Sequence, residues 1–165
     1  MDEKKLTFIP TESDSNVISV GGSVETVKVS LRFLGDNLNP EEISALLQCQ
    51  PSKAYRKGDT IGSKRSHRIA HTGAWILKGT KEDTGVLETK ITRLLECITV
   101  PLTVWEELRS FSGNVFCGIF INDWNRGLSL SPELMQKLVE RHLSIDFDIY
   151  CNFFEEDEKS RNPPV

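Results

Sequence analysis

The chain lacks any apolar run near the roughly 20 residues that a membrane-spanning helix needs. Met1–Pro10 has no apolar h-region, so it does not read as a secretory signal. None of Cys49, Cys97, Cys117 and Cys151 belongs to a C-x-x-C pair. Each lies in or beside an apolar run, where a thiol behaves as a small hydrophobe. Four free thiols in a reducing cytoplasm are therefore expected. No G-x-S-x-G elbow occurs. The glycines of Gly21-Gly22 and Gly35-Asp36-Asn37 lack phosphate-loop spacing. An excess of positive charge is also missing. The formal net charge of −4 argues against a general nucleic-acid binder, which needs a basic surface. No motif implies a cofactor.

What is present reads as an ordinary globular chain, with 38% hydrophobic and 27% charged residues. At 165 residues, folding buries roughly two-thirds of the unfolded surface, so a core forms without metal or disulfide. Met1–Gly22 is polar and reads as a loosely held arm with one short strand near Val17–Val20. Residues 23–154 read as one domain, and 155–165, charged and then Pro-rich, as a disordered tail.

Within the domain, Val27–Leu34 alternates. Val27, Val29, Leu31 and Phe33 point one way and Lys28, Ser30 and Arg32 the other, as in a half-buried strand. Asn39-Pro40-Glu41-Glu42 is a helix start, with an Asn cap, Pro at the first position and Glu at the third. Ile43, Leu46 and Leu47 form the apolar stripe, and Pro51 is expected to stop the helix. Ser52–Ser66 reads as a polar loop and Arg68–Lys78 as extended chain. Val86–Ile98 has helical spacing at Leu87, Ile91, Leu94, Leu95 and Ile98. Thr103 and Glu106 form a second capping pair, opening a short helix. Asn114–Ile121 is apolar on both faces, which predicts a central strand with Ile119 and Phe120 both buried. Leu128–Leu130 is a short extended piece. Ile145–Cys151 alternates, with Ile145, Phe147, Ile149 and Cys151 inward and Asp146 and Asp148 outward.

Ser131-Pro132-Glu133 repeats the start at Asn39-Pro40-Glu41. Met135, Leu138 and Val139 then fall where Ile43, Leu46 and Leu47 fall. Two weakly alike strand–helix–strand units predict an α+β fold. The expected form is a ferredoxin-like split βαβ sandwich, its sheet mostly antiparallel, with helices on one face and a helical insertion at 86–111 between the halves.

Three constellations carry chemistry. Lys53, Arg56, Lys57, Lys64, Arg65 and Arg68 make a basic loop opposed only by Asp59. Arg forks match carboxylate and phosphate oxygens, so the loop is a candidate site for a small anion or a nucleotide. The competing reading is a solvated loop, or one neutralised by Asp146 or Asp148. His67 and His71 share a face only on a helix. In extended chain they stand about 13 Å apart, so a metal site is not expected. Trp124, with Arg126 in the same turn, is a candidate interface anchor, since exposed aromatics favour interfaces.

VSLRFLG, NPEEISALLQCQPSKAYRKGD, GAWILKG and LSLSPELMQKLVERHLSIDFDIY, in that order, resemble the bacterial domain of unknown function 4279 family. The P-x-x-A-x-x-x-G-D element is met by Pro51, Ala54, Gly58 and Asp59, the next strand's tryptophan by Trp75, and the closing D-x-Y by Asp148 and Tyr150. The resemblance implies that Pro51–Asp59 is ordered against Trp75, which adds Trp75 to the candidate ligand site of Arg56, Lys57, Asp59 and Arg68. It implies no activity. Some members look like parts of bacterial competition or mobile-element loci, which implies an immunity-type binding role. The reading is a cytoplasmic, non-enzymatic domain that binds another protein, with a homodimer left open. The alternatives are an anion- or nucleotide-binding regulatory domain using loop 53–68, or an enzyme whose groups converge only in three dimensions.

Overall fold

The computed structural model describes residues 24, 26–63, 66–80, 86–121 and 127–151. The expected arm 1–22, the tail 155–165 and the turn carrying Trp124 and Arg126 lie outside these residues.

Alternation builds strand β1 (Thr26–Gly35), which buries Val27, Val29, Leu31 and Phe33 and exposes Lys28. Helix α1 (Pro40–Leu47) starts as its sequence dictates. Asn39 Oδ1 accepts from the Glu41 N–H at 3.3 Å and its amide donates to Glu42 at 2.9 Å. The helix ends at Gln48, whose φ of 50° is left-handed, before Pro51 can act.

The stretch expected as a polar loop is strand β2 (Lys53–Tyr55) followed by strand β3 (Thr60–Ser63), and β3 pairs with strand β4 (Ser66–Ile69). These strands are short and carry no apolar alternation, so backbone pairing rather than burial specifies them. β2 docks on strand β5 (Gly73–Lys78) with Ala54 opposite Trp75. Within β3, Gly62 stands opposite His67 with a φ of 121°, and a Cβ there would meet the Ser66 carbonyl oxygen, so the position suits glycine.

The insertion holds helix α2 (Leu87–Glu96), helix α3 (Leu102–Glu107) and a 3-10 turn at Leu108–Ser110. α3 starts behind Pro101 without a side-chain cap, so Thr103 lies inside it. Glu106 instead pairs with Arg109 at 2.6 Å. Strand β6 (Ser112–Ile121), helix α4 (Pro132–Glu140) and strand β7 (Ser144–Cys151) complete the fold, and Leu128–Leu130 forms no strand.

The five-stranded sheet runs β2-β5-β1-β6-β7. All its pairs are antiparallel except β6–β7. Its inner face meets Ile43 and Leu47 of α1, Leu87, Ile91, Leu94 and Leu95 of α2, Trp105 of α3, and Leu134 and Leu138 of α4 in one core. Phe33 sits at its centre, with Trp75 edge-on at 6.0 Å and Trp105 at 6.2 Å. This is an α+β layer with helices on one face. The split βαβ expectation does not extend to strand order. β1 and β5 are antiparallel neighbours, and β6 and β7 are parallel neighbours with no strand between them. The β2–β4 excursion turns the chain before β5, whereas the single helical crossover of α4 delivers β7 parallel to β6.

The two helix starts are alike, since Ser131 Oγ accepts from the Leu134 N–H at 3.3 Å. Their buried faces are not alike. α1 buries Ile43 and Leu47, but α4 buries Leu134 and Leu138 and leaves Met135 and Val139 exposed.

Candidate functional site

Of the basic loop, Lys64 and Arg65 lie outside the described residues, and Arg56 and Lys57 are paired with carboxylates. β2 holds Tyr55 opposite Ala74, and the turn after it folds back on Asp59, whose Oδ2 accepts from the Arg56 N–H at 2.7 Å. The Gly58 N–H donates to the Ala70 carbonyl at 2.9 Å and the Ala70 N–H to the Asp59 carbonyl at 2.8 Å. The Arg56 guanidinium reaches Glu41 at 2.6 Å and Asn39 at 2.9 Å, and Lys57 pairs with Asp36. The Lys57 hydrogen bond holds the Asp36 carboxyl below its ordinary value. Asp36 and Glu41, at the α1 start, therefore balance Lys57 and Arg56. Asp146 and Asp148 lie on β7, at the other edge of the sheet from β2. Arg68 stands exposed on β4 opposite Ile61. Trp75 has no accessible surface, and its indole N–H donates to Ser44 Oγ at 3.0 Å. The structure thus brings Arg56, Lys57 and Asp59 together but commits Trp75 to the core. Among the described residues, no group of three or more His, Cys, Asp or Glu could hold a metal ion.

The other face of the sheet carries residues that the core does not use. Register puts Lys28, Ser30 and Arg32 of β1 beside Gly118, Phe116 and Asn114 of β6. These in turn lie beside Asp148, Asp146 and Ser144 of β7. The Arg32 guanidinium lies 3.5 Å from the Phe116 ring centre and the Lys28 ammonium 4.8 Å from that of Phe120. Phe120 stacks on Tyr150 at 4.8 Å with planes 11° apart. Burial lowers the Arg32 pKa and Asp146 opposes that shift. The Tyr150 hydroxyl donates to Asp148, which raises the tyrosine pKa. Ile119, on the core side, is fully buried as expected, but Phe120 is half-buried on this face. The signal for this surface was present as the two-faced apolar pattern of β6 and the Lys28/Ser30/Arg32 side of β1. β6 does lie inside the sheet, between β1 and β7, but the described helices cover only its Ile119 face, so Phe120 is not buried as its two-faced apolar pattern predicts.

Among the described residues, β7 ends the sheet and pairs on one side only. Phe147 and Ile149 share the face of Cys117 and Ile119, yet they are 39% and 53% exposed because the helix layer stops short of them. Cys117 is enclosed, and burial pushes its thiol up to about 12, so it stays protonated as a core residue.

One sheet with the described helices on one face defines a two-layer α+β domain. The family model for the domain of unknown function DUF4279 matches residues 25–152, more than half of the chain, and the chain belongs to that family. Comparison with curated proteins and with solved structures gives no match.

Proposed function

We propose that this is a protein-binding domain whose interface is the β7 end of the sheet. The observation that carries the reading is the exposure of Phe147, Ile149 and Tyr150 on a strand whose outer edge is unpaired among the described residues. Large apolar side chains grouped at one sheet edge mark an interaction site more often than scattered surface residues do. Arg32, Lys28 and the stacked Phe120–Tyr150 pair extend the surface, and arginine and aromatic residues are the side chains that anchor interfaces. Trp124 and Arg126 follow β6 directly in the chain and belong to the same proposal as sequence candidates.

The anion or nucleotide reading of loop 53–68 is the weaker one. A ligand there displaces Glu41 from Arg56 and Asp36 from Lys57, and it meets no Trp75 surface. A cytoplasmic location fits four cysteines that are all free thiols. An immunity role, with a toxin as the bound protein, is the specific form that the family resemblance offers, and a toxin gene beside this one would support it.

The test is a photo-crosslinking phenylalanine analogue placed at Tyr150 or, as control, at exposed Glu107 on α3, in cells that make the protein. A discrete adduct from position 150 and none from position 107 is expected. The same pattern from both positions overturns the reading.

A further inference from the structure

We infer that β7 accepts an added strand from its partner, and that this strand alternates apolar with basic residues. The inference rests on the interface proposed above and deepens it to a binding mode and a partner chemistry.

β7 is an eight-residue strand, SIDFDIYC, without proline, glycine or lysine. Natural edge strands are usually blunted by such residues, by bulges or by a covering element. β7 pairs in regular register with β6 from Ser144 to Cys151. In a parallel ladder, alternate residues turn both N–H and C=O away from the neighbour, so the outer side of β7 presents a row of backbone groups that pair with no strand among the described residues. An incoming extended segment would satisfy them.

The two faces of such a segment would meet different chemistry. On the helix side stand Phe147 and Ile149. Met135 and Val139 of α4 add to them. Lys137 reaches Glu96 on α2 at 3.5 Å, and α2 lies against β1. Met135 and Val139 project about 160–200° round the helix from Lys137, away from α2 and toward the β7 edge. Val139 is 71% exposed and Met135 46%. On the opposite side stand Asp146, which accepts from the Asn114 amide at 2.7 Å, and Asp148, which accepts from the Tyr150 hydroxyl. A strand with apolar residues on one side and Lys or Arg on the other complements both rows, because side chains alternate with a period of two.

A second copy of this chain fits less well. Two-fold antiparallel pairing centred on Phe147 sets Asp146 opposite the partner Asp148, and pairing centred on either aspartate sets it against itself. Pairing centred on Ile149 avoids this only by using the C-terminal part of β7 from Phe147 to Cys151. Like charges directly opposite destabilise a pair.

The experiment uses synthetic eight-residue peptides and the full chain, followed by calorimetry and by amide hydrogen exchange of β7. The probes are acetyl-(Val-Lys)4-amide, its (Val-Glu)4 counterpart, and a (Val-Lys)4 version N-methylated on alternate residues in each of the two phases. The lysine peptide should bind and protect outer β7 amides. It should bind about tenfold more weakly to an Asp146→Asn/Asp148→Asn variant with unchanged near-ultraviolet circular dichroism. The glutamate peptide should not bind, and one N-methylation phase should abolish binding. Equal binding of the lysine and glutamate peptides, or full binding of both N-methylated forms, overturns strand addition. Dimerisation of the free chain through β7, seen by light scattering and lost in Phe147→Asp, overturns it in favour of a second copy. If no peptide binds while position 150 still crosslinks a partner, strand addition fails and the interface stands. If position 150 also fails, the interface reading fails with it.

Discussion

At the scale of residues, the Ser44–Trp75 pair shows how one polar contact organises the core. Ser44 lies inside α1, donates to the Pro40 carbonyl at 2.8 Å and accepts from the Trp75 indole at 3.0 Å. It therefore ties the first helix to β5 and satisfies an N–H with no accessible surface around it. Ser44→Ala should cost about 1–3 kcal/mol, the cost of leaving a buried donor unmet, as read by urea unfolding. A loss below about 0.5 kcal/mol would mean that the indole finds another acceptor. The tryptophan was legible in the sequence as a marker of this strand. Its burial was not, because nothing local to GAWILKG says that α1 covers it. Arg56 and Lys57 show the same limit. Their charge is visible in the sequence, but their partners Glu41 and Asp36 lie 15 and 21 residues away.

At the scale of elements, pattern predicts which side of a strand or helix is buried only when one side is polar. β1 alternates and its burial follows the alternation except at Ser30, which is buried and accepts from Arg32 Nε at 3.0 Å. β6 is apolar on both sides, and only its inner residues reach the core. Ile119→Ala should cost about 2–5 kcal/mol, whereas Phe120→Ala should cost less than half as much, because the Phe120 ring lies under Lys28 and beside Tyr150. Equal costs in urea unfolding would place both faces in the core. α4 offers the matching test. Leu138→Ala should cost about 2–5 kcal/mol and Val139→Ala no more than about 0.5 kcal/mol. The reverse order would restore the helix face that its likeness to α1 predicted. That likeness is one of capping, and a cap sets where a helix starts without choosing the face it buries.

At the scale of the whole molecule, exposed ion pairs tie separate elements together. Asp36, ordinarily near 3.8, is lowered by its hydrogen bond with Lys57. Glu106, ordinarily near 4.5, is lowered chiefly by its hydrogen bond with Arg109, and also by His142, which stands 2.5 Å away. Each carboxyl binds its proton less readily in the folded state than in the unfolded one. Their stabilisation is therefore complete above the ordinary values and is lost as pH falls through the lower folded values. The urea midpoint should fall as pH drops below about 4.5, and an Asp36→Asn/Glu106→Gln variant should show a shallower fall over the same window. Identical slopes would show that these pairs contribute nothing, as many exposed pairs do.

The sequence by itself determined the α+β content, the cap-Pro-Glu starts of α1 and α4, the insertion 86–111 and the buried row of β1. These follow from periodicity and capping, which act within a few residues. Family membership was legible for the same reason, as an ordered set of local motifs. Tertiary structure decided the rest. It made strands of 53–55 and 60–63 by pairing and set β7 parallel to β6. It stopped the helix layer short of Phe147 and Ile149. It also gave Arg56 and Lys57 of the basic loop to carboxylates at the α1 start. Each outcome depends on which distant segment arrives alongside. Only the closed fold sets that neighbour, so the exposed edge of β7 is a property of the assembled sheet and not of the residues SIDFDIYC.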